Sequence, residues 1–294
     1  MGAESDNLID LVIAGRSRNI GDFAVRRLLP FAKRRMVGPF IFLDEMGPVE
    51  LTAGQGIDVR PHPHIGLSTL TYLFSGEIMH RDSLGVEQAI RPGAVNWMTA
   101  GRGIVHSERS GAESRARAET LHGLQSWIAL PLEHEETEPS FSHHAADDLP
   151  VIEAAGCTLR LLAGRAYGEV SPVPVFSDLF YLHAELQAGA RLALPEEPLE
   201  RAIYVVVGGI ELDGLAVASG SMAVVKPGGG PIVTAGPASR IMLLGGSPLE
   251  GRRQIWWNFV SSRPERIEEA KADWQAGRLA SVPGDAEFVP LPEG

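Results

Sequence analysis

The feature that most restricts how this chain can fold is a spacing that occurs twice. Gly56 is followed after five residues by His62-Pro63-His64, and Gly76 stands twelve residues beyond His64. In the second half Gly189 is followed after five residues by Pro195-Glu196-Glu197, and Gly209 stands twelve residues beyond Glu197. Gly93-Ala94-Val95 and Gly101 align in the same way with Gly220-Ser221-Met222 and Gly228. Glycines that recur at one offset mark turns whose backbone has no room for a Cβ, so one supersecondary plan is expected to occur twice. The segments between the turns are short and rich in apolar or β-branched residues: 40–43, 68–74, 95–98, 126–130, 159–162, 203–207, 222–225 and 240–244. Punctuated by 33 glycines and 21 prolines, they predict an all-β chain of the sandwich or barrel kind.

One helix is expected, near the end. Ser262 reads as its cap, Pro264 and Glu265 suit its first turn, Ile267, Ala270 and Trp274 recur at helical spacing, and Gly277 stops it. The acidic stretch Glu133-His134-Glu135-Glu136-Thr137-Glu138-Pro139 reads as the connection leaving a first domain, dividing the chain into 1–132 and 133–294. His143 and His144 follow it; adjacent residues point to opposite faces of a strand, so this pair is expected in a surface loop.

Composition excludes several classes of function. A formal charge of −11, without a dense run of Lys and Arg, argues against a direct nucleic-acid partner. The densest basic cluster, Lys33-Arg34-Arg35 with Arg26 and Arg27 upstream, reads as a solvated face. A lone cysteine, Cys157, cannot form an intrachain disulfide; it reads as a small buried hydrophobe, and a reducing cytoplasm suits the chain. Residues Met1 to Asp6 begin acidic and lack the apolar core of a secretory signal. No stretch approaches the roughly 18 consecutive apolar residues of a membrane span, so no membrane partner is expected.

The chemistry lies in His62 and His64, and in His106 and Glu108. Residues two apart share one face of a strand, so each pair would point its side chains the same way. Two such strands side by side would bring three imidazoles and one carboxylate to a single point. That donor set suits Fe, Mn, Ni, Cu or Zn, and the residues alone do not choose among them. On an octahedral ion it leaves two positions for water, O2 or a chelating substrate. In the second repeat His106 and Glu108 align with Val233 and Ala235, so a metal is expected only in the first copy. Gly101 and Gly103 would shape the turn that delivers His106. His80, His122, His134 and His183 have no partner at ligand spacing and read as ordinary histidines. Arg102 and Asp82 read equally as supports behind the ligands or as members of an ion pair. Trp97, Met98, Ile65 and Phe74 read as core, some lining the cavity, and Trp256-Trp257 as packing of the C-terminal segment.

The spacing Gly-x5-His-x-His-x11-Gly resembles the first motif of the cupin superfamily, whose double-stranded β-helix barrels hold a metal inside. That motif usually carries an acidic ligand five residues after its second histidine. Thr69 stands there in this chain, and Glu108 would supply the carboxylate instead. The segment from Trp97 through Gly101-Arg102-Gly103 to His106-Ser107-Glu108 narrows the resemblance to the pirin family. Asp44-Glu45, Pro61-His62-Pro63-His64-Ile65-Gly66, His80-Arg81-Asp82-Ser83 and Gln125-Ser126-Trp127 support it. The likeness runs from Arg26 to Pro131, and more weakly through the second repeat and Ile255 to Pro264.

The resemblance implies two tandem cupin (jelly-roll) barrels with a short C-terminal helix. It implies His62, His64, His106 and Glu108 as metal ligands, with Fe(II) the usual ion. It further implies quercetin 2,3-dioxygenase chemistry. A flavonol would chelate through its 3-hydroxyl and 4-carbonyl oxygens, Glu108 would accept the hydroxyl proton as general base, and O2 would open the central ring with loss of carbon monoxide. The alternative carried by the same resemblance is a metal-dependent redox sensor that binds a protein partner without turnover; the acidic balance favours a basic protein. In a third reading the flavonol stands in for another small phenol or an enediol.

Overall fold

The computed structural model describes residues 8–20, 23–195 and 200–293. Strands dominate it, and the doubled spacing corresponds to a doubled topology. The histidine-bearing copy contains β1 (Phe40–Leu51), β2 (Asp58–His64), β3 (Leu67–Ser75), β4 (Ile78–Asp82), β5 (Glu87–Ile90), β6 (Val95–Thr99), β7 (Ile104–Arg109) and β8 (Glu119–Ala129). The other copy contains β9 (Leu179–Leu186), β10 (Arg191–Ala193), β11 (Glu200–Val207), β12 (Gly209–Leu212), β13 (Leu215–Ala218), β14 (Ser221–Val225), β15 (Ile232–Ala235) and β16 (Ser239–Gly246).

In the first copy a sheet of order β6-β3-β8-β1 is accompanied by one of order β2-β7-β4-β5. In the second the orders are β14-β11-β16-β9 and β10-β15-β12-β13, so each strand n corresponds to strand n + 8. Even the added edge strands correspond: Ser140–His144 pairs with β6, and Ile9–Ala14 with β14. This is a pair of cupin-type domains, as the resemblance implied.

The two compact units interleave along the chain rather than dividing at 132/133. One comprises the described residues of Met1–Arg16, Leu28–Phe40 and Asp148–Pro248; the other those of Ser17–Arg27, Ile41–Asp147 and Leu249–Gly294. The N-terminal strand belongs to the first because its backbone hydrogen bonds are made to β14. The C-terminal segment belongs with the histidines. Ile65 bridges to Phe259, Val289 N–H donates to Pro61 O, and Arg109 pairs with Asp285. The acidic stretch exposes Glu133, Glu136 and Glu138 but is anchored at one point. Glu135 is buried in an ion pair with the fully buried Arg253 and accepts hydrogen bonds from Ser261 and Ser262.

That last contact explains a second departure. Ser262 does not cap the C-terminal helix, because its N–H and hydroxyl both donate to Glu135; the helix (Pro264–Gln275) opens on Arg263 with Pro264 in its first turn. Gly277, at φ +65°, stops it as expected. Ile267 and Ala270 bury against Ile65 and Phe259, with Trp274 beside them. A further four-residue helix, Ala112–Arg115, lacks the length to show a period in the sequence. His143 and His144 lie in an edge strand and not in a loop, and His143 Nδ1 bonds Asn96 Oδ1 at 2.7 Å. The basic cluster divides: Lys33 and Arg35 are exposed, as expected of a solvated face, whereas Arg27 holds Asp44 by two bonds of 2.9 and 2.7 Å, Arg26 pairs with Glu45, and Arg34 with Asp10 and Glu200. Cys157 is buried in the apolar core of its unit. Among the described residues no helix is long and apolar enough to cross a membrane. Residues Met1 to Asp6 lie outside those residues.

Candidate metal centre

β2 and β7 are antiparallel neighbours, with His62 opposite His106 and His64 opposite Ile104. The register then slips by one: Glu108 stands opposite Val59, so β2 carries one residue more than its partner. Such a bulge twists a strand and re-aims its side chains. His62 stabilises it, donating from Nδ1 to Arg60 O at 2.8 Å. The turns at either end demand glycine. Gly66 (φ +69°) and Gly101 (φ +51°) would each drive a Cβ to 2.0 Å from a backbone oxygen, of Val260 and Thr137 respectively. Gly66 N–H donates to Gly101 O at 2.8 Å, tying together the loops that begin and end the ligand strands.

One ring nitrogen from each of His62, His64 and His106 lies within 4.8 Å of the others, and all three rings are buried. Their centroids are 4.4 to 5.0 Å apart. Among the described residues His64 Nδ1 and His106 Nε2 are buried without a hydrogen-bond partner. Such orphaned polar atoms cost about 1–3 kcal/mol each unless something binds them. The opposite nitrogen of each ring is engaged: His62 with Arg60 O, His64 with the backbone of Asn258, and His106 Nδ1 with His80 Nδ1 at 3.4 Å. Three rings oriented from behind, with bare nitrogens converging, fit a divalent transition metal.

Electrostatics favour the same state. Burial lowers the pKa of His62 to about 4 and holds His64 and His106 well below the usual imidazole value, helped by their mutual repulsion. All three are neutral near pH 7, the form that ligates. Glu108 does not join the three-histidine grouping. It is buried in the same cavity, accepts a hydrogen bond from the Thr71 hydroxyl at 3.1 Å, and has its pKa raised by burial against the opposing effects of His80 and Thr71.

The cavity holds about 470 Å³, within the ordinary range for small-molecule sites. Phe42 and Trp127 form one wall, stacked at 3.9 Å and 12°, and the Arg27 guanidinium lies 4.4 Å from the Phe42 ring centre. Trp257 forms another part of the lining. It adopts φ +53°, a conformation that bulky side chains rarely take. Of the two C-terminal tryptophans, Trp256 packs on Phe259 as expected, but Trp257 lines the cavity. Trp97, Met98 and Ile65 are buried core but do not line it, and Phe74 packs against His122. Arg102 is well exposed and pairs with Glu138, away from the metal centre. A larger space of about 970 Å³ lies beneath the C-terminal tail, but its acidic lining residues Asp285 and Glu287 are both held by Arg109.

His80 is the residue that sequence reasoning missed. It stands opposite Glu108 in the β4–β7 register, and Asp82 opposite His106. The signal was present: His80 and Asp82 form a third pair two residues apart. In the second copy Val233 and Ala235, aligned with His106 and Glu108, are buried in an apolar cluster with Leu192. Glu197, aligned with His64, lies outside the described residues.

Comparison with known proteins agrees with this geometry. The pirin family model matches residues 22–128, and that of the pirin C-terminal cupin domain residues 181–280. A pirin-like protein of Caulobacter vibrioides is 53% identical over 290 residues, spanning 97% of this chain and 100% of that protein. The crystal structure of a quercetin 2,3-dioxygenase from Acinetobacter baumannii superposes with a TM-score of 0.90 at 34% identity, covering 97% of this chain and 95% of that one. A second quercetin 2,3-dioxygenase structure from that organism gives 0.87 at 26% identity, covering 93% and 98%. With both repeats matched and a relative identical at more than half of its positions, the chain belongs to the pirin family of the cupin superfamily.

Proposed function

We propose that this protein is a mononuclear metal-dependent oxygenase of the quercetin 2,3-dioxygenase type, acting on flavonol-like phenols. In this reading His62, His64, His106 and Glu108 hold the ion, and the ion is Fe(II). The observation that carries it is the convergence of three neutral imidazoles, of which His62 and His64 line a cavity that also has flat aromatic walls and a buried carboxylate. The likeness to quercetin 2,3-dioxygenases supports the substrate class. Mn, Cu, Ni and Zn fit the same donors; zinc would offer only Lewis-acid chemistry, and among the redox-active ions iron is taken as the usual one of the resemblance.

When bound, the ion supplies Lewis acidity toward two chelating substrate oxygens and a path for electrons toward O2. The rest falls to the chain. Phe42 and Trp127 present a stacked apolar face that holds planar rings by burial and offset stacking. Arg27, fixed by two hydrogen bonds to Asp44, lays its guanidinium over the Phe42 ring and holds that wall in place. Glu108 takes the 3-hydroxyl proton: burial raises its affinity for a proton toward the operating pH, which is what a general base requires.

The test is aerobic assay of iron-loaded protein against quercetin, with manganese, copper and nickel forms alongside and elemental analysis of the untreated protein. Substrate-dependent O2 uptake with release of carbon monoxide is expected. No uptake with any loaded ion would sink the proposal.

A further inference from the structure

Behind His106 lies a buried polar chain that the ligands alone do not explain. His80 Nε2 is 3.0 Å from Asp82 Oδ2, and His80 Nδ1 is 3.4 Å from His106 Nδ1. Both His80 and Asp82 are buried. Asp82 is itself fixed, its Oδ1 accepting the N–H groups of Leu84 at 2.9 Å and Val86 at 3.1 Å. The His80 ring lies against Phe141, stacked at 4.4 Å and 22°. These contacts leave the imidazole little freedom to turn.

A carboxylate oxygen accepts, so His80 Nε2 is the donor to Asp82 Oδ2, and in the imidazole tautomer that carries its proton there Nδ1 is an acceptor. His106 then donates from Nδ1, and its Nε2, the nitrogen without a hydrogen-bond partner, is free as a ligand.

We propose that His80 and Asp82 are positioning residues for the metal centre: Asp82 fixes His80 so that His80 Nδ1 accepts the proton of His106 Nδ1, which aims the bare His106 Nε2 at the ion. The proposal rests on the metal reading above and adds to it two residues from a third strand. Each of β2, β7 and β4 then contributes a pair spaced two apart: His62 with His64, His106 with Glu108, His80 with Asp82.

The experiment titrates Zn(II), a redox-inert probe, against a chromophoric chelator in wild type, His80→Phe and His80→Gln, each checked for native circular dichroism before metal is added. Phenylalanine keeps a ring against Phe141 but cannot accept; glutamine keeps an accepting oxygen. We expect His80→Phe to weaken Zn(II) binding by about 10- to 100-fold and His80→Gln to stay within a few-fold of wild type. In the Zn(II)-loaded wild type, long-range 1H–15N spectra should show His106 protonated at Nδ1 and His80 at Nε2; this measurement needs no variant to fold. Unchanged affinity in His80→Phe, equal losses in both variants, or a His106 protonated at Nε2 would each overturn the relay while the metal reading stood. A wild type that takes up no Zn(II) would overturn the metal reading and the relay with it.

Discussion

His62 and His106 face each other across the antiparallel β2–β7 pair, ring centroids 4.4 Å apart. Directly opposed side chains in such a pair approach closely, so two buried imidazoles there repel once charged and gain from a cation held between them. The energetics of the site follow from that juxtaposition, and so do the expectations below.

Glu108→Gln keeps the shape of the side chain and the Thr71 contact but removes the base. Ring-opening turnover is expected to fall by about 10²–10⁴-fold while the protein still binds metal through its three histidines. Stopped-flow decay of flavonol absorbance, alongside metal analysis of the same sample, measures both. A rate equal to wild type would remove Glu108 from the proton transfer.

Acid should destabilise the protein prepared in chelator. His62 titrates near 4 when folded against 6.5 when free, and His64 and His106 are also depressed. Between those values the unfolded chain binds protons that the folded chain refuses, so stability falls as pH drops from about 6.5 toward 4; above that window these groups contribute nothing. Glu108 works in the opposite sense, because its raised pKa favours the folded form as pH falls. Three histidines outweigh one carboxylate. Urea midpoints at pH 7 and pH 5 should show the decline, and His106→Gln should flatten it.

Trp127→Ala removes the larger half of the cavity wall. The loss of a buried tryptophan should cost about 3–5 kcal/mol of stability. KM for a flavonol should rise more than kcat falls, because the wall binds the rings and does not touch the proton. Trp127→Phe should recover most of both, as read by thermal unfolding and steady-state kinetics.

Glu135→Ala tests what holds the C-terminal segment. Arg253 would be left buried without its carboxylate, a change that costs about 3–5 kcal/mol. A thermal midpoint within a degree of wild type would show that the Leu130, Glu250 and Gly251 carbonyls suffice for Arg253.

The pairs two residues apart were legible because side-chain direction in a strand is a local property with period two. His62, His64 and His106 therefore converge as expected. Glu108, on the same strand as His106, reaches the cavity but not their grouping, and beside it the register with β2 slips by one residue. His80 was passed over because its partners are on other strands or in its own pair with Asp82, and a search for ligands at histidine spacing does not look there. The cavity walls left no local signal: Phe42, Trp127 and Trp257 lie far apart in sequence and meet only through sheet pairing and the return of the C-terminal segment.

The sequence by itself determined the strand-rich class, the doubled plan and the residues able to bind metal, since glycine turns and period-two spacing act over a few residues at a time. Tertiary structure decided which strands are neighbours and where their register slips. It also decided which acidic residues are buried: Glu135 and Glu136 are adjacent in one acidic run, yet only Glu135 meets the buried Arg253 and leaves solvent. A carboxylate enters the interior where an opposite charge or hydrogen-bond donors meet it, and for Glu135 that partner lies more than a hundred residues away along the chain.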